Sequence, residues 1–307
     1  MRKIGALIFL VMLSFNLQAQ SSVDSLKKIV VRLSTLPNAR NYKNVVYLNK
    51  AADYIHTKFS QATPKVVRQK FDVMGQSYSN VIASFGPDTA ARIIIGAHYD
   101  VFGEAPGADV NASGVAGLLE LARLFGKIDK QLLFRIDLVA YTLEEPPFLN
   151  TTSMGSYRHA LSLKQFQVKV LGMICLDGIG FFTDKAKSQR NPFFFSRWRT
   201  GRVGNYIAIV QRYGNGSWPS RMTYLLNQYM LGMRVVRIKP WITYKALTQS
   251  DHQSFWKLGY PAILITNTGK YRNKNFHYDT DTYETLDYFR MAKVVDMVYR
   301  SMLHYRT

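Results

Sequence analysis

Four short stretches hold the residues whose types could do chemistry: His98-Tyr99-Asp100, Glu144-Glu145, Asp177 and His277-Tyr278-Asp279. Neutral imidazoles combined with carboxylates are the ligand chemistry of Zn²⁺ or a similar divalent ion. Each group follows an apolar run. Ile93–Ile95 leads to His98, Leu132–Val139 to Glu144 and Glu145, Val170–Leu176 to Asp177, and Ala262–Thr266 through a loop to His277. Taken singly, each has a plain structural reading: a loop or capping histidine, a solvated glutamate turn, a helix-capping aspartate. Four strands delivering His, Glu, Asp and His to one edge make those readings harder to hold together. The chain has no His-Glu-x-x-His helix, no Gly-x-Ser-x-Gly elbow and no phosphate loop, so the chemistries those motifs serve lack support.

Positioning such groups needs an ordered scaffold, and the hydrophobic pattern supplies one. Apolar residues at helical spacing predict helices over Ser22–Leu36 and Tyr42–Ser60, followed by strands at Val66–Val73 and Ser77–Phe85. An alternation then sets in: strand Arg92–Ala97, helix Ala112–Phe125, strand Gln131–Thr142, helix near Met154–Leu163, strand Val168–Leu176. It continues with strand Tyr206–Gln211, helix Ser220–Met230, strand Arg234–Ile238, helix Ser250–Leu258, strand Ala262–Thr266 and helix Leu286–Leu303. Continuous Val/Ile/Leu strands alternating with helices predict an α/β domain, its central sheet mixed but largely parallel and covered by helices on both faces. Sites in such sheets form at the carboxyl ends of the strands, where the polar residues above fall. No repeat or low-complexity linker divides the chain, so residues 20–307 are expected to form one domain.

Residues 1–19 read as a signal peptide. Arg2 and Lys3 precede the apolar run Ile4–Leu13, and the small residue Ala19 suits a cleavage site. The run is shorter than the roughly 20 residues a membrane helix needs, and no later segment has that length and hydropathy. The expectation is an exported protein, periplasmic or extracellular, without a transmembrane segment. The lone cysteine, Cys175, rules out an intrachain disulfide and lies in an apolar run, which predicts a buried core residue. Forty Lys and Arg against twenty Asp and Glu give a formal charge of +20. That field would favour an anionic surface or polymer, or simply reflect a basic composition. No specific nucleic-acid motif accompanies it. Lys185 to Arg202 interleaves basic residues with Phe193–Phe195 and Trp198, which reads either as a lid over the cleft or as an exposed loop.

Residues 80 to 300 resemble the zinc exopeptidases that include aminopeptidase Y and the secreted bacterial leucyl aminopeptidases. The resemblance rests on Gly96-Ala97-His98-Tyr99-Asp100, Pro106 to Gly114, Leu143-Glu144-Glu145, Leu176-Asp177, Ser250-Asp251-His252 and His277 to Thr282. Glu145-Pro146-Pro147-Phe148 with Met154-Gly155-Ser156 looks like an exported bacterial branch. The resemblance implies hydrolysis of the N-terminal residue from peptides with a free N-terminus, using zinc-activated water. It implies that His98 and Asp177 bind one zinc, and Glu145 and His277 a second. Asp100 would orient His98, and Glu144 would be the general base.

One position departs. The family reads Gly-Ala-Asp-Asp-Asn, its second Asp bridging the metals, whereas this chain reads Gly107-Ala108-Asp109-Val110-Asn111. Valine coordinates nothing, and without the bridge each zinc keeps two protein ligands. Three readings stay open. Asp109 supplies the bridge; the site holds one metal with altered activity; or the chain is a non-catalytic relative that binds peptides or envelope material. Glutaminyl cyclisation, a one-metal acyl transfer on the same fold, is a further alternative.

Overall fold

The structure, a computed structural model, describes residues 21–88, 90–190, 201–239 and 249–306. The expected signal segment therefore lies outside the described residues, as do Phe193–Phe195, Arg197, Trp198 and Arg199 of the basic stretch.

Eight strands form one sheet: β1 (Val66–Val73), β2 (Gln76–Phe85), β3 (Arg92–His98), β4 (Arg135–Tyr141), β5 (Val170–Leu176), β6 (Tyr206–Gln211), β7 (Arg234–Ile238) and β8 (Ala262–Thr266). Their spatial order is β1-β2-β4-β3-β5-β8-β6-β7. The middle four strands, β4-β3-β5-β8, run parallel, and β6 pairs parallel with β7. Antiparallel pairings join β1 to β2, β2 to β4 and β6 to β8, so the sheet is mixed as expected.

Seven helices are described: α1 (Val23–Ser34), α2 (Val45–Ser60), α3 (Gly114–Gly126), α4 (Gly155–Gln165), α5 (Trp218–Tyr229), α6 (His252–Lys257) and α7 (Tyr288–His304). Amphipathic spacing explains why they pack. In α1 the buried residues are Leu26, Ile29, Val30 and Leu33, one face of a 3.6-residue period, and Ser22 caps its start by accepting the Ser25 N–H. Asp287 caps α7 in the same way through the Arg290 N–H.

The strands partition between two main cores by alternation, with a small third cluster of Tyr206, Ala208 and Val236 on β6 and β7. Along β5, Ile174 and Leu176 join the larger core with α1, α2, α3, α5 and α7, while Met173 and Cys175 face the smaller core with α4 and α6. This two-sided burial is why the central strands read as uninterrupted apolar runs. Cys175 is fully buried, as its sequence context predicts. No helix among the described residues is long and apolar enough to cross a membrane.

Several boundaries differ from the sequence reading by a few residues, and two of the differences have clear local reasons. Strand β4 begins at Arg135 rather than Gln131, because residues 129–131 form a 3₁₀ turn. Helix α3 begins at Gly114 rather than Ala112, because Val110 and Asn111 hold non-helical dihedrals within a distorted turn spanning residues 108–113.

Candidate metal centre

The carboxyl edge of the parallel strands assembles the site. His98 closes β3, and its Nδ1 lies 3.1 Å from the Asp100 carbonyl oxygen and 3.5 Å from Asp100 Oδ1. The Asp100 carboxylate accepts the N–H of Glu144 at 3.2 Å and that of Glu145 at 3.0 Å. Leu143, with φ of +58°, reverses the chain after β4 so that these two consecutive amides meet it. One carboxylate thus fixes the imidazole and the backbone of both glutamates.

His98 Nε2 points away from Asp100. It lies 3.7 Å from Glu144 Oε2 and 3.8 Å from Asp177 Oδ1, is fully buried, and has no hydrogen-bond partner. His98, Glu144 and Asp177 each offer an atom within 4.8 Å of the others, the arrangement a metal ion needs. Glu144 is buried too, which removes the solvated-turn reading.

The electrostatics lean negative. Burial alone would lower the His98 pKa, but Glu144, Asp100 and Asp177 override it and hold the imidazole well above 6.5. Burial pushes Glu144 well above the usual carboxylate range against the pull of His98, with repulsion from Glu145 and Asp177 adding. Burial would also raise Asp177, yet the neighbouring His98 imidazole outweighs it and holds the carboxyl below its ordinary value. Such crowding of carboxylates around one imidazole is costly to bury without a cation.

A second pair lies beside the first. Glu145 Oε1 is 3.0 Å from His277 Nε2, but it has no hydrogen bond. The carboxylate oxygen and the imidazole nitrogen form a second pair of candidate ligand atoms. The His277 ring is sandwiched between Phe102, 4.6 Å away, and Phe276, 3.9 Å away.

Asp109 is not part of either group. Its carboxylate accepts the N–H groups of Gly180 and Phe181, each at 3.0 Å, and the side-chain amides of Asn267 (2.8 Å) and Asn273 (3.0 Å). With those lone pairs committed, the structure gives it the role of a strut beneath the loop. Val110 follows, buried and apolar, and the Val110–Asn111 peptide bond is cis. Asp281 accepts the N–H groups of Asp109 and Val110, and Asn111 donates to the Leu176 carbonyl at 2.8 Å. Arg40, fully buried, donates to the carbonyls of Leu33, Tyr99, Pro106 and Gly107 and so packs the loop from behind.

The structure therefore brings together His98, Asp100, Glu144 and Asp177, sets Glu145 against His277, and leaves Asp109 apart. Sequence reasoning missed Asn267, Asn273 and Arg40, which have no motif of their own, and the aromatic stack on His277. Asn267 carried one signal, since it too follows an apolar strand directly.

Residues 80–302 match Peptidase family M28. The uncharacterized protein YfbL of Escherichia coli (strain K12) is 38% identical over 287 residues, which cover 91% of this chain and 87% of YfbL. Among solved structures, the LapA aminopeptidase of Legionella pneumophila superposes with a TM-score of 0.73 at 18% identity, covering 92% of this chain and 70% of LapA. Glutaminyl cyclase of Tannerella forsythia superposes with a TM-score of 0.66 at 19% identity, covering 94% of this chain and 100% of the cyclase. At these identities the two structures speak for the fold.

Proposed function

Because the chain belongs to peptidase family M28, we propose that it is an exported metal-dependent aminopeptidase, with zinc as its metal and peptides with a free N-terminus as substrates. The observation that carries this reading is the fully buried, unpartnered Nε2 of His98, aimed at the carboxylates of Glu144 and Asp177. An imidazole that yields its proton to a cation, with flanking carboxylates, fits a divalent ion of the zinc type.

Bound there, the ion would supply Lewis acidity and a water of lowered pKa. The chain's own residues supply the rest. Asp100 holds the His98 ring and, through the Glu144 and Glu145 amides, sets both glutamates against the imidazoles. Between them the two glutamates provide a remaining ligand and a carboxylate to take a proton from the attacking water. Phe102 and Phe276 stack on His277 and fix the plane of its ring. Val110 contributes no ligand, so turnover is expected to fall below that of a site with an intact bridge. Export is supported by the pattern of residues 1–19, and the charge of +20 would favour retention near anionic envelope polymers.

The test is hydrolysis of aminoacyl chromogenic substrates by the purified protein, abolished by a chelator and restored by Zn²⁺. Ammonia release from peptides with N-terminal glutamine, without hydrolysis, would reassign the site to cyclisation. Absence of turnover together with absence of metal uptake would leave a binding relative.

A further inference from the structure

Resting on that reading, we propose that a cavity between α2 and the β1–β2 hairpin is a subsite for the downstream end of the peptide substrate. It would take an aromatic side chain together with the free carboxylate of the substrate's last residue. The cavity has a volume of about 660 Å³, within the range of small-ligand sites, and Tyr42, Tyr47, Met74, Tyr78 and Phe148 give it largely apolar walls. No carboxylate lines it, and Lys43 is its one charged residue.

Its place in the fold ties it to the metal centre. Strand β2 runs antiparallel to β4, pairing Val81 with Ala140, so Gln76 and Tyr78 extend past the carboxyl end of β4, the end that delivers Glu144 and Glu145. Phe148 closes the turn that begins at Glu145, its N–H donating to the Glu145 carbonyl at 3.0 Å. The Phe148 ring meets Tyr42 edge-on with centroids 5.3 Å apart, and the Tyr78 hydroxyl donates to the Tyr42 carbonyl at 3.3 Å. Next to Tyr42, the Asn41 amide holds Gly103 and Glu104 of the loop whose Phe102 stacks on His277. Glu145 and Phe148 are thus one turn apart, a span that two or three extended residues cover at about 3.3–3.6 Å each.

The lining selects the occupant. Aromatic walls, with the exposed side chains of Met74 and Val46 at the rim, offer surface for an aromatic side chain. Lys43 Nζ lies 5.8 Å from the centroid of the Tyr42 ring and forms no ion pair among the described residues. With no acidic residue in the cavity to compete, that ammonium favours an incoming carboxylate. The last residue of a short peptide presents a carboxylate and a side chain together.

The experiment titrates the full chain, in the presence of Zn²⁺, with peptides of two to four residues that begin with Leu and end in Phe. Their first peptide bond is reduced to a methyleneamine, so they bind without being cleaved. At the length that binds tightest, the free acid should bind about two- to fivefold more tightly than its amide at low salt, as for an exposed ion pair. Phe at the last position should bind roughly tenfold more tightly than Gly. Lys43→Ala should bring the acid-to-amide ratio to one, whereas Lys164→Ala, on α4 across the sheet, should leave it unchanged. Val46→Trp, which fills the cavity from an exposed helix position, should remove the preference for Phe.

Equal affinities for acid and amide, a ratio that survives Lys43→Ala, or a Phe preference untouched by Val46→Trp would overturn the subsite. If wild type cleaves aminoacyl chromogenic substrates yet shows no preference at the last residue, the aminopeptidase reading stands and the subsite falls. If the preferences appear without any cleavage, the subsite stands and that reading gives way to a peptide-binding relative.

Discussion

Replacing Asp109 separates a structural strut from a metal bridge. In Asp109→Ala, the buried N–H groups of Gly180 and Phe181 and the amide of Asn273 lose their acceptor, while Asn267 keeps the Phe181 carbonyl. Each buried donor left unmade costs about 1–3 kcal/mol. Removing the charge also relieves its own desolvation and its repulsion of Asp281, which recovers part of that sum. The net loss should be about 3–5 kcal/mol, the range for breaking a buried charged network. At about 2–3 °C per kcal/mol for a domain of this size, Tm should drop by roughly 6–15 °C. Thermal unfolding followed by circular dichroism in excess chelator isolates this effect, because no metal then contributes. Zinc affinity of the folded variant should stay near wild type. An unchanged Tm in chelator combined with lost zinc binding would make Asp109 the bridge and refute the strut.

Three further outcomes follow from the same geometry. Asp100→Asn should lower zinc affinity by about 10–100-fold, the usual effect of disturbing a ligand's orienting partner, as read by chelator competition. Gly114→Ala should cost more than about 2 kcal/mol in denaturant melts, because its new Cβ would meet the Asn111 amide and lie 2.6 Å from the Leu176 carbonyl. Asp281 titrates near 7 in the folded protein, pushed up by burial and then by Asp109, against 3.8 in the open chain. The folded state therefore binds the proton more tightly, so stability from this group is present below about pH 4 and lost as pH rises through 7. Asp281→Asn should flatten that slope, and parallel slopes in the two proteins would refute it.

The central strands were legible as elements because they are buried on both faces and read as uninterrupted apolar runs. The edge strands Val66–Val73 and Arg234–Ile238, together with Tyr206–Gln211 and Ala262–Thr266 inside the sheet, match the sequence reading to the residue. The strand-end rule places His98, Glu144, Glu145 and Asp177 at one edge, where the parallel strands β4, β3 and β5 carry them. What stayed hidden depends on partners far apart in the chain. Nothing local tells Asp109 that Asn267 and Asn273 will surround its carboxylate. Nothing in the Glu144-Glu145 dipeptide says which glutamate faces His98 and which faces His277; that is decided by the turn at Leu143 and the hold of Asp100.

Cys175 offers a consequence of a different kind. Its thiol is buried between the sheet and α6, 3.3 Å from Ser250 Oγ, and burial raises its pKa well above 9.0. In an oxidising compartment such a thiol is silent while the fold holds, since reaction requires the exposed thiolate. Before the sheet closes it is the chain's single point of vulnerability to thiol cross-linking with another molecule, and closure ends that exposure. The rate at which an alkylating reagent labels Cys175 therefore reports how often the centre of the protein opens, giving the molecule a built-in clock for its own unfolding.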